Sequence, residues 1–231
     1  MPARTARPRR WTALLAVLCT AGLTPLFAGT FVWTGVEPFE WRGEIAPPND
    51  GTADLYFGDA NYAVVNLPVD FSVNSIKLLD GNDYLIQPSA LPVTLAIANG
   101  ISTPNGSGGG HYRFAQGITI DLANSQVWDP GQNQVYAIGK ITGGGQLTLR
   151  GSTFFNFGNQ FTDSGNDYTG GTVLDFSSSS GGVVLSSNTA FGTGNVTVTN
   201  GASFRDDNTL TLANTFTVHS TSSAPLNFTH F

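Results

Sequence analysis

Cysteine is nearly missing from this 231-residue sequence, with Cys19 as its single example. Charge is scarce too: Asp, Glu, Lys and Arg make up 11% of the chain, where an average domain carries about 25%. Long apolar runs are lacking as well. The stretch from Trp11 to Leu23 is broken by Thr20 and Gly22 and followed by Thr24 and Pro25, short of the roughly 20 residues that span a bilayer. From residue 29 onward no window of a dozen residues repeats apolar positions at i, i+3, i+4 and i+7, so amphipathic helices are not expected. Basic residues are few, and four of the ten are Arg4, Arg7, Arg9 and Arg10; without them six face sixteen acids, a balance of −10. Such a chain repels phosphate backbones, which makes nucleic acid and anionic membrane surfaces poor partners on electrostatic grounds.

What is present begins with a tripartite leader. A basic stretch, the apolar run from Trp11 and small residues near Ala28 and Gly29 read as a secretory signal peptide over residues 1–28. Cys19-Thr20-Ala21 offers an alternative cut. Leu18 stands where a lipidated cysteine would need a small residue before it, and Pro8 and Trp11 flank Arg9-Arg10 poorly for a twin-arginine signal. Removal of the leader takes Cys19 with it, so no disulfide framework is available to the exported chain. Backbone ladders and stacked side chains must hold it together.

Glycine is abundant, at 28 residues, and phenylalanine numbers 16. Short runs of β-forming residues alternate with Gly, Asn, Asp and Pro. Expected strands are Tyr62 to Leu67, Ser75 to Leu79, Tyr84 to Ile86, Val93 to Ile97, Ile118 to Leu122, Val135 to Ile138, Gln146 to Leu149, Val173 to Phe176, Val183 to Leu185, Asn195 to Thr199, Thr209 to Leu212 and Thr215 to Val218. Asp80-Gly81-Asn82-Asp83, Gly143-Gly144-Gly145, Gly170-Gly171 and Asn200-Gly201 supply turns between them, and Asn105 to Gly110 and Ser177 to Ser180 read as loops. An antiparallel sandwich and a solenoid both suit many short strands. Alternation such as Gly194-Asn195-Val196-Thr197-Val198-Thr199 favours a β-helix, with aliphatic groups inward and Thr and Asn outward at roughly 20 to 25 residues per coil.

Three pieces of sequence carry a more specific signal: Gly165-Asn166-Asp167-Tyr168-Thr169-Gly170-Gly171-Thr172, then Phe191-Gly192-Thr193-Gly194-Asn195-Val196-Thr197-Val198, then Leu210-Thr211-Leu212-Ala213-Asn214. In that order they resemble the passenger-associated β-strand repeat of bacterial autotransporters, with Asn166, Tyr168, Gly170, Gly171, Thr172, Gly192, Gly194, Val196 and Val198 as its signature. Trp33-Thr34-Gly35 with Trp41 resembles the tryptophan-rich start of such passengers. The resemblance implies a right-handed parallel β-helix exported through the outer membrane. Ser177 to Ser180 interrupt the family's spacing, one repeat is recognisable, and no strand pattern of a translocating barrel occurs. The expectation is therefore a stand-alone exported β-helix or part of a longer passenger, its translocator or anchor separate or missing.

The search for chemistry yields little. Glu37, Glu40 and Glu44 lie beside Trp33 and Trp41, an acid-plus-aromatic composition suited to sugars, against which stands a solvated cap over the open helix end. Asp206 and Asp207 read as a turn before Thr209. Asp80 to Asp83 and Asp163 to Asp167 lack the spacing of a calcium loop and read as turns. His111, His219 and His230 are far apart in sequence, with no cysteine companion for zinc. No nucleophile elbow or phosphate loop occurs.

The expectation is a single elongated all-β domain after the signal peptide. An N-terminal cap and first coils would occupy residues 29–117, and further coils residues 118–231, with the repeat at about 165–218. The function expected is that of an exported, cell-surface, outer-membrane-associated or secreted stalk or adhesion scaffold. It would have no enzymatic activity, cofactor or metal, and would meet extracellular glycans or host and neighbour surfaces. The alternative is a carbohydrate-active enzyme or glycan-binding module, with Trp33, Glu37, Glu40 and Trp41 as the sugar-facing residues.

Overall fold

The computed structural model describes residues 29–33, 46–58, 62–79, 81–104, 108–151, 154–157, 165–176, 181–206, 209–219 and 226–230. Every regular element among them is a strand. In chain order these are β1 (Thr30–Trp33), β2 (Asp54–Phe57), β3 (Tyr62–Leu67), β4 (Phe71–Val73), β5 (Ser75–Leu78), β6 (Asp83–Pro88), β7 (Val93–Ile97), β8 (Gly100–Ser102), β9 (His111–Phe114), β10 (Ile118–Asp121) and β11 (Gln126–Asp129). There follow β12 (Gln134–Ala137), β13 (Lys140–Thr142), β14 (Leu147–Arg150), β15 (Phe154–Phe157), β16 (Thr172–Asp175), β17 (Gly182–Leu185), β18 (Val196–Val198), β19 (Ala202–Asp206), β20 (Phe216–Val218) and β21 (Leu226–His230).

All pairings are parallel and join each strand to its equivalent one coil away. The first sheet runs β1-β2-β5-β8-β11-β14-β16-β18-β20, the second runs β3-β6-β9-β12-β15-β17-β19-β21, and a short third runs β4-β7-β10-β13. The fold is a parallel β-solenoid, as the alternation of apolar and polar residues leads one to expect. In the first sheet, partners lie between 20 residues apart (Val196 with Phe216) and 27 apart (Gly100 with Val127). The coil length is thus elastic, and insertions are absorbed in the connections. The ladders cross from residue 117 to 118 without interruption, since β10 pairs with β7 on one side and β13 on the other.

Alternation puts every second side chain inside, where it stacks on its equivalent in the next coil. Val93, Leu95 and Ile97 of β7 are buried while Thr94 and Ala96 are half-buried between them. Aromatic rings fill the wide parts of the shaft: Tyr84 and Tyr112 stack at 5.1 Å and 12°, and Phe57 meets Tyr84 edge-on at 5.4 Å. Offset and edge-on geometries of this kind add roughly 0.5–1.5 kcal/mol per pair beyond area burial. Trp128 is fully buried, and its indole N–H donates to Gln126 Oε1 at 2.9 Å. Gln126 Nε2 in turn donates to the Ile97 carbonyl at 2.8 Å in the preceding coil. A buried polar group kept bonded in this way avoids the penalty of an orphaned donor.

Several expectations need correction. Thr209 to Leu212 does not form a strand; the segment is held instead by Thr211 N–H donating to Asn188 Oδ1 at 2.7 Å, with Leu210 and Leu212 half-buried against the core. Asp206 is not in a turn but is the last residue of β19, opposite His230, while Asp207 lies outside the described residues. Asp83 likewise opens β6 rather than completing a turn. The short polar strands β2, β9 and β19 were not expected from the sequence. Their alternation is carried by two inward residues each, for example Tyr112 and Phe114 in β9, too few to stand out against outward His and Arg.

Candidate functional site

The signature residues converge at one corner of the solenoid. The third sheet ends with β13, whose outer edge would leave backbone groups unpaired. Asn166 and Asp167 take over there without forming a strand. Asn166 Oδ1 accepts the Ile141 N–H at 2.7 Å, and Asp167 N–H donates to the Ile141 carbonyl at 3.1 Å. Asn166 Nδ2 then donates to the Ala190 carbonyl at 3.0 Å in the following coil, so one fully buried amide bridges three successive coils. Next along the chain, Thr169 N–H donates to the Gly143 carbonyl at 2.9 Å, and the Tyr168 carbonyl accepts from Thr193 N–H at 3.0 Å.

Tyr168 is fully buried and its hydroxyl lies 2.6 Å from Thr172 Oγ1, itself buried. Burial in this apolar shaft drives the phenol far above its ordinary titration range, so it stays neutral and hydrogen-bonded. Gly170 and Gly171 have distinct roles. Gly171 adopts φ +84°, and a Cβ there would come 2.8 Å from the Asn195 carbonyl oxygen. Gly170 has no positive φ and is small because the backbone of Gly145 passes directly against it. Gly192 and Gly194 sit in the turn before β18; their carbonyls accept from Asn214 Nδ2 at 3.1 Å and 2.7 Å. Val196 and Val198 are the buried residues of β18. Asn214, two coils after Asn166, thus ties its own coil to the preceding one through a side-chain amide. The side-chain polar atoms of Asn166 are taken up by the neighbouring coils and the Tyr168 hydroxyl by Thr172, while Lys140 and Asp167 pair at 2.6 Å on the exposed side of the corner.

Of the proposed sugar-facing residues, Trp33 ends β1, and Glu37, Glu40 and Trp41 lie outside the described residues. An apolar cavity of about 130 Å³ lies nearby, lined by side chains including Leu55, Phe57, Val65, Ile76, Ile86 and Leu95. Among the described residues its lining is apolar.

A chemically richer constellation lies on the outward face of the second sheet. The register that stacks Tyr84 on Tyr112 also sets Asp83 beside His111, and Arg113 pairs with Tyr136 one coil further on. Asp83 Oδ1 accepts the His111 backbone N–H at 2.9 Å and lies 2.8 Å from His111 Nδ1. This fixes Nδ1 as the protonated nitrogen of the neutral ring and leaves Nε2 as an acceptor. Arg113 Nη1 stands 3.7 Å from Asp83 Oδ2, and its guanidinium carbon lies 5.3 Å from the centroid of the Tyr136 ring. Tyr136 meets His111 edge-on at 5.6 Å and donates its hydroxyl proton to Gln134 Oε1 at 2.9 Å. Partial burial works to raise the Asp83 carboxyl, but the His111 hydrogen bonds and the nearby His111 and Arg113 charges outweigh it and hold the group below the usual carboxylate range. Desolvation raises the Tyr136 phenol. About one third of each of the Asp83, His111 and Arg113 side chains is exposed.

Sequence reasoning treated Asp83 as a turn residue and His111 as an isolated histidine. The available signal was the alternation in His111-Tyr112-Arg113-Phe114. The 28 residues that separate His111 from Asp83 give no clue until the coil length is known. No protein-family model, no curated protein and no solved structure matches this chain.

Proposed function

We propose that the chain is an exported bacterial β-helix of the autotransporter-passenger type, displayed at the cell surface or secreted, serving as a non-catalytic stalk or adhesion scaffold. The observation that supports this reading is the corner at Asn166, where the residues of the passenger-like signature meet and join coil to coil through buried amides. A chain without structural cysteines outside the cell needs such internal ties. An acidic leaderless chain also resists clinging to its own anionic envelope.

Expression of the full chain in a Gram-negative host, followed by fractionation and N-terminal sequencing, tests the reading. A protein processed near residue 28 and digestible by protease added to intact cells is expected. Unprocessed protein confined to the cytosol would overturn it.

A second reading, a glycan-binding module, is favoured by one observation, the Asp83, His111, Arg113 and Tyr136 cluster facing outward across three coils. The non-catalytic assignment is tested on the same molecule. Incubation with a panel of polysaccharides should release no reducing ends; turnover abolished by Glu37→Ala, Glu40→Ala or His111→Ala would make the chain an enzyme.

A further inference from the structure

We propose that this outward cluster on the second sheet binds a neutral saccharide through a pair of vicinal hydroxyls, with Asp83 as acceptor and Arg113 as donor. The inference rests on the glycan-binding reading and specifies its site and sugar class. Three features of the geometry lead to it.

First, the two charges are close but not consumed by each other. The 3.7 Å between Arg113 Nη1 and Asp83 Oδ2 is too long for a hydrogen bond. Both His111 contacts go to Asp83 Oδ1, which leaves Oδ2 with acceptor capacity. A guanidinium carries five N–H donors in a fixed fork, and that of Arg113 forms no side-chain hydrogen bond among the described residues. A strong acceptor beside a strong donor matches a vicinal diol, in which one hydroxyl donates and the next accepts.

Second, the groups are held before any ligand arrives. Asp83 is anchored by two bonds to His111, and Arg113 is steadied over the Tyr136 ring. Preorganisation reduces the ordering cost of binding. His111 Nε2 supplies one further acceptor at the edge of the site.

Third, charge selects against acidic sugars. Asp83 and Arg113 carry opposite charges that offset each other, and the exported chain carries a balance of −10. A uronate would place its carboxylate beside Asp83 within this negative field.

Affinity electrophoresis of the full chain through gels containing mannan, galactan, dextran or polygalacturonate tests the proposal, alongside Asp83→Asn, Arg113→Gln and the control Arg150→Gln. Arg150 is an exposed arginine paired with Asp175 on the first sheet. Retardation is expected in at least one neutral polymer and not in polygalacturonate. Asp83→Asn and Arg113→Gln should each weaken it on the order of tenfold, with circular dichroism melting unchanged for Arg113→Gln and with Arg150→Gln binding as the parent does. Retardation by a neutral polymer that both cluster variants retain would refute this site while leaving the glycan-binding reading in place. Retardation by none of the neutral polymers would refute both. Stronger retardation by polygalacturonate would overturn the sugar class. None of these outcomes touches the export reading, which fractionation decides.

Discussion

Asn166→Ala is the sharpest perturbation that the corner allows. The side chain is 1% exposed, accepts the Ile141 N–H at 2.7 Å and donates to the Ala190 carbonyl at 3.0 Å. Alanine removes both partners at once and leaves a buried donor and a buried acceptor on two different coils. Each orphaned group costs about 1–3 kcal/mol, so a loss of about 3 kcal/mol is expected. For a chain of this size that lowers the melting temperature by roughly 6–12 °C. Urea titration followed by circular dichroism measures the first quantity, and a thermal scan the second. Because coils contact only their neighbours, the damage should be local, and amide exchange should accelerate most at Ile141 and on the coils either side of Asn166. A loss below about 0.5 kcal/mol, the size of an ordinary surface substitution, would show that the amide does not join the coils, and the structural account of the signature would fall with it.

Three further expectations can be tested on the same protein. Tyr168→Phe strands the buried Thr172 hydroxyl and should cost about 1–2 kcal/mol, whereas Tyr168→Phe with Thr172→Val removes both partners and should recover most of it; strictly additive losses in a double-mutant cycle would contradict the pairing. Gly171→Ala forces a side chain into φ +84° and should cost about 1–3 kcal/mol. Gly170→Ala should cost at least as much, since its methyl group meets the backbone of Gly145; unchanged melting in both would refute the corner placement. Asp83, Asp167 and Asp175 are all held below their ordinary range: Asp83 and Asp175 against partial burial, by bonds from His111 and from Asn200 and Arg150, and Asp167 chiefly by its bond from Lys140. The unfolded chain, with carboxyls near pH 3.9, binds more protons in the interval below that value. Their contribution is therefore complete above about pH 4 and lost as pH falls through the folded values, by a modest amount because all three are partly exposed. A melting temperature that stays flat or rises from pH 5 to pH 2 would contradict this.

The inside of the solenoid was readable because its rules are repetitive. Tyr62–Leu67 and Val93–Ile97 were legible to the residue, as an inward aliphatic at every second position can be counted without knowing what lies in the next coil. The corner was legible for a related reason: Asn166, the glycines and Asn214 perform a backbone task that few other residue types can perform. Strands such as β9 and β19 were obscured because two inward residues between charged neighbours do not form a pattern. Connections that let the coil vary from 20 to 28 residues hid the register itself.

That elasticity explains why the outward cluster could not be read from the sequence. A residue inside the shaft answers to its neighbours in the next coil, so its identity betrays its place. An outward residue answers to solvent and to side chains of the neighbouring coils, such as Asp83 to His111 and Arg150 to Asp175, and those neighbours are set by loop lengths that a linear reading cannot fix. Asp83, His111, Arg113 and Tyr136 are unremarkable one by one and become a constellation only when 28 residues of intervening chain are wound into one turn. The wall of the solenoid thus separates two kinds of information. Packing and backbone ties carry most of the stability from within, and the partly exposed ion pairs of the outer face add a modest amount. It follows that Arg113→Gln should alter binding while sparing the fold, and that Asn166→Ala at the corner should do the reverse.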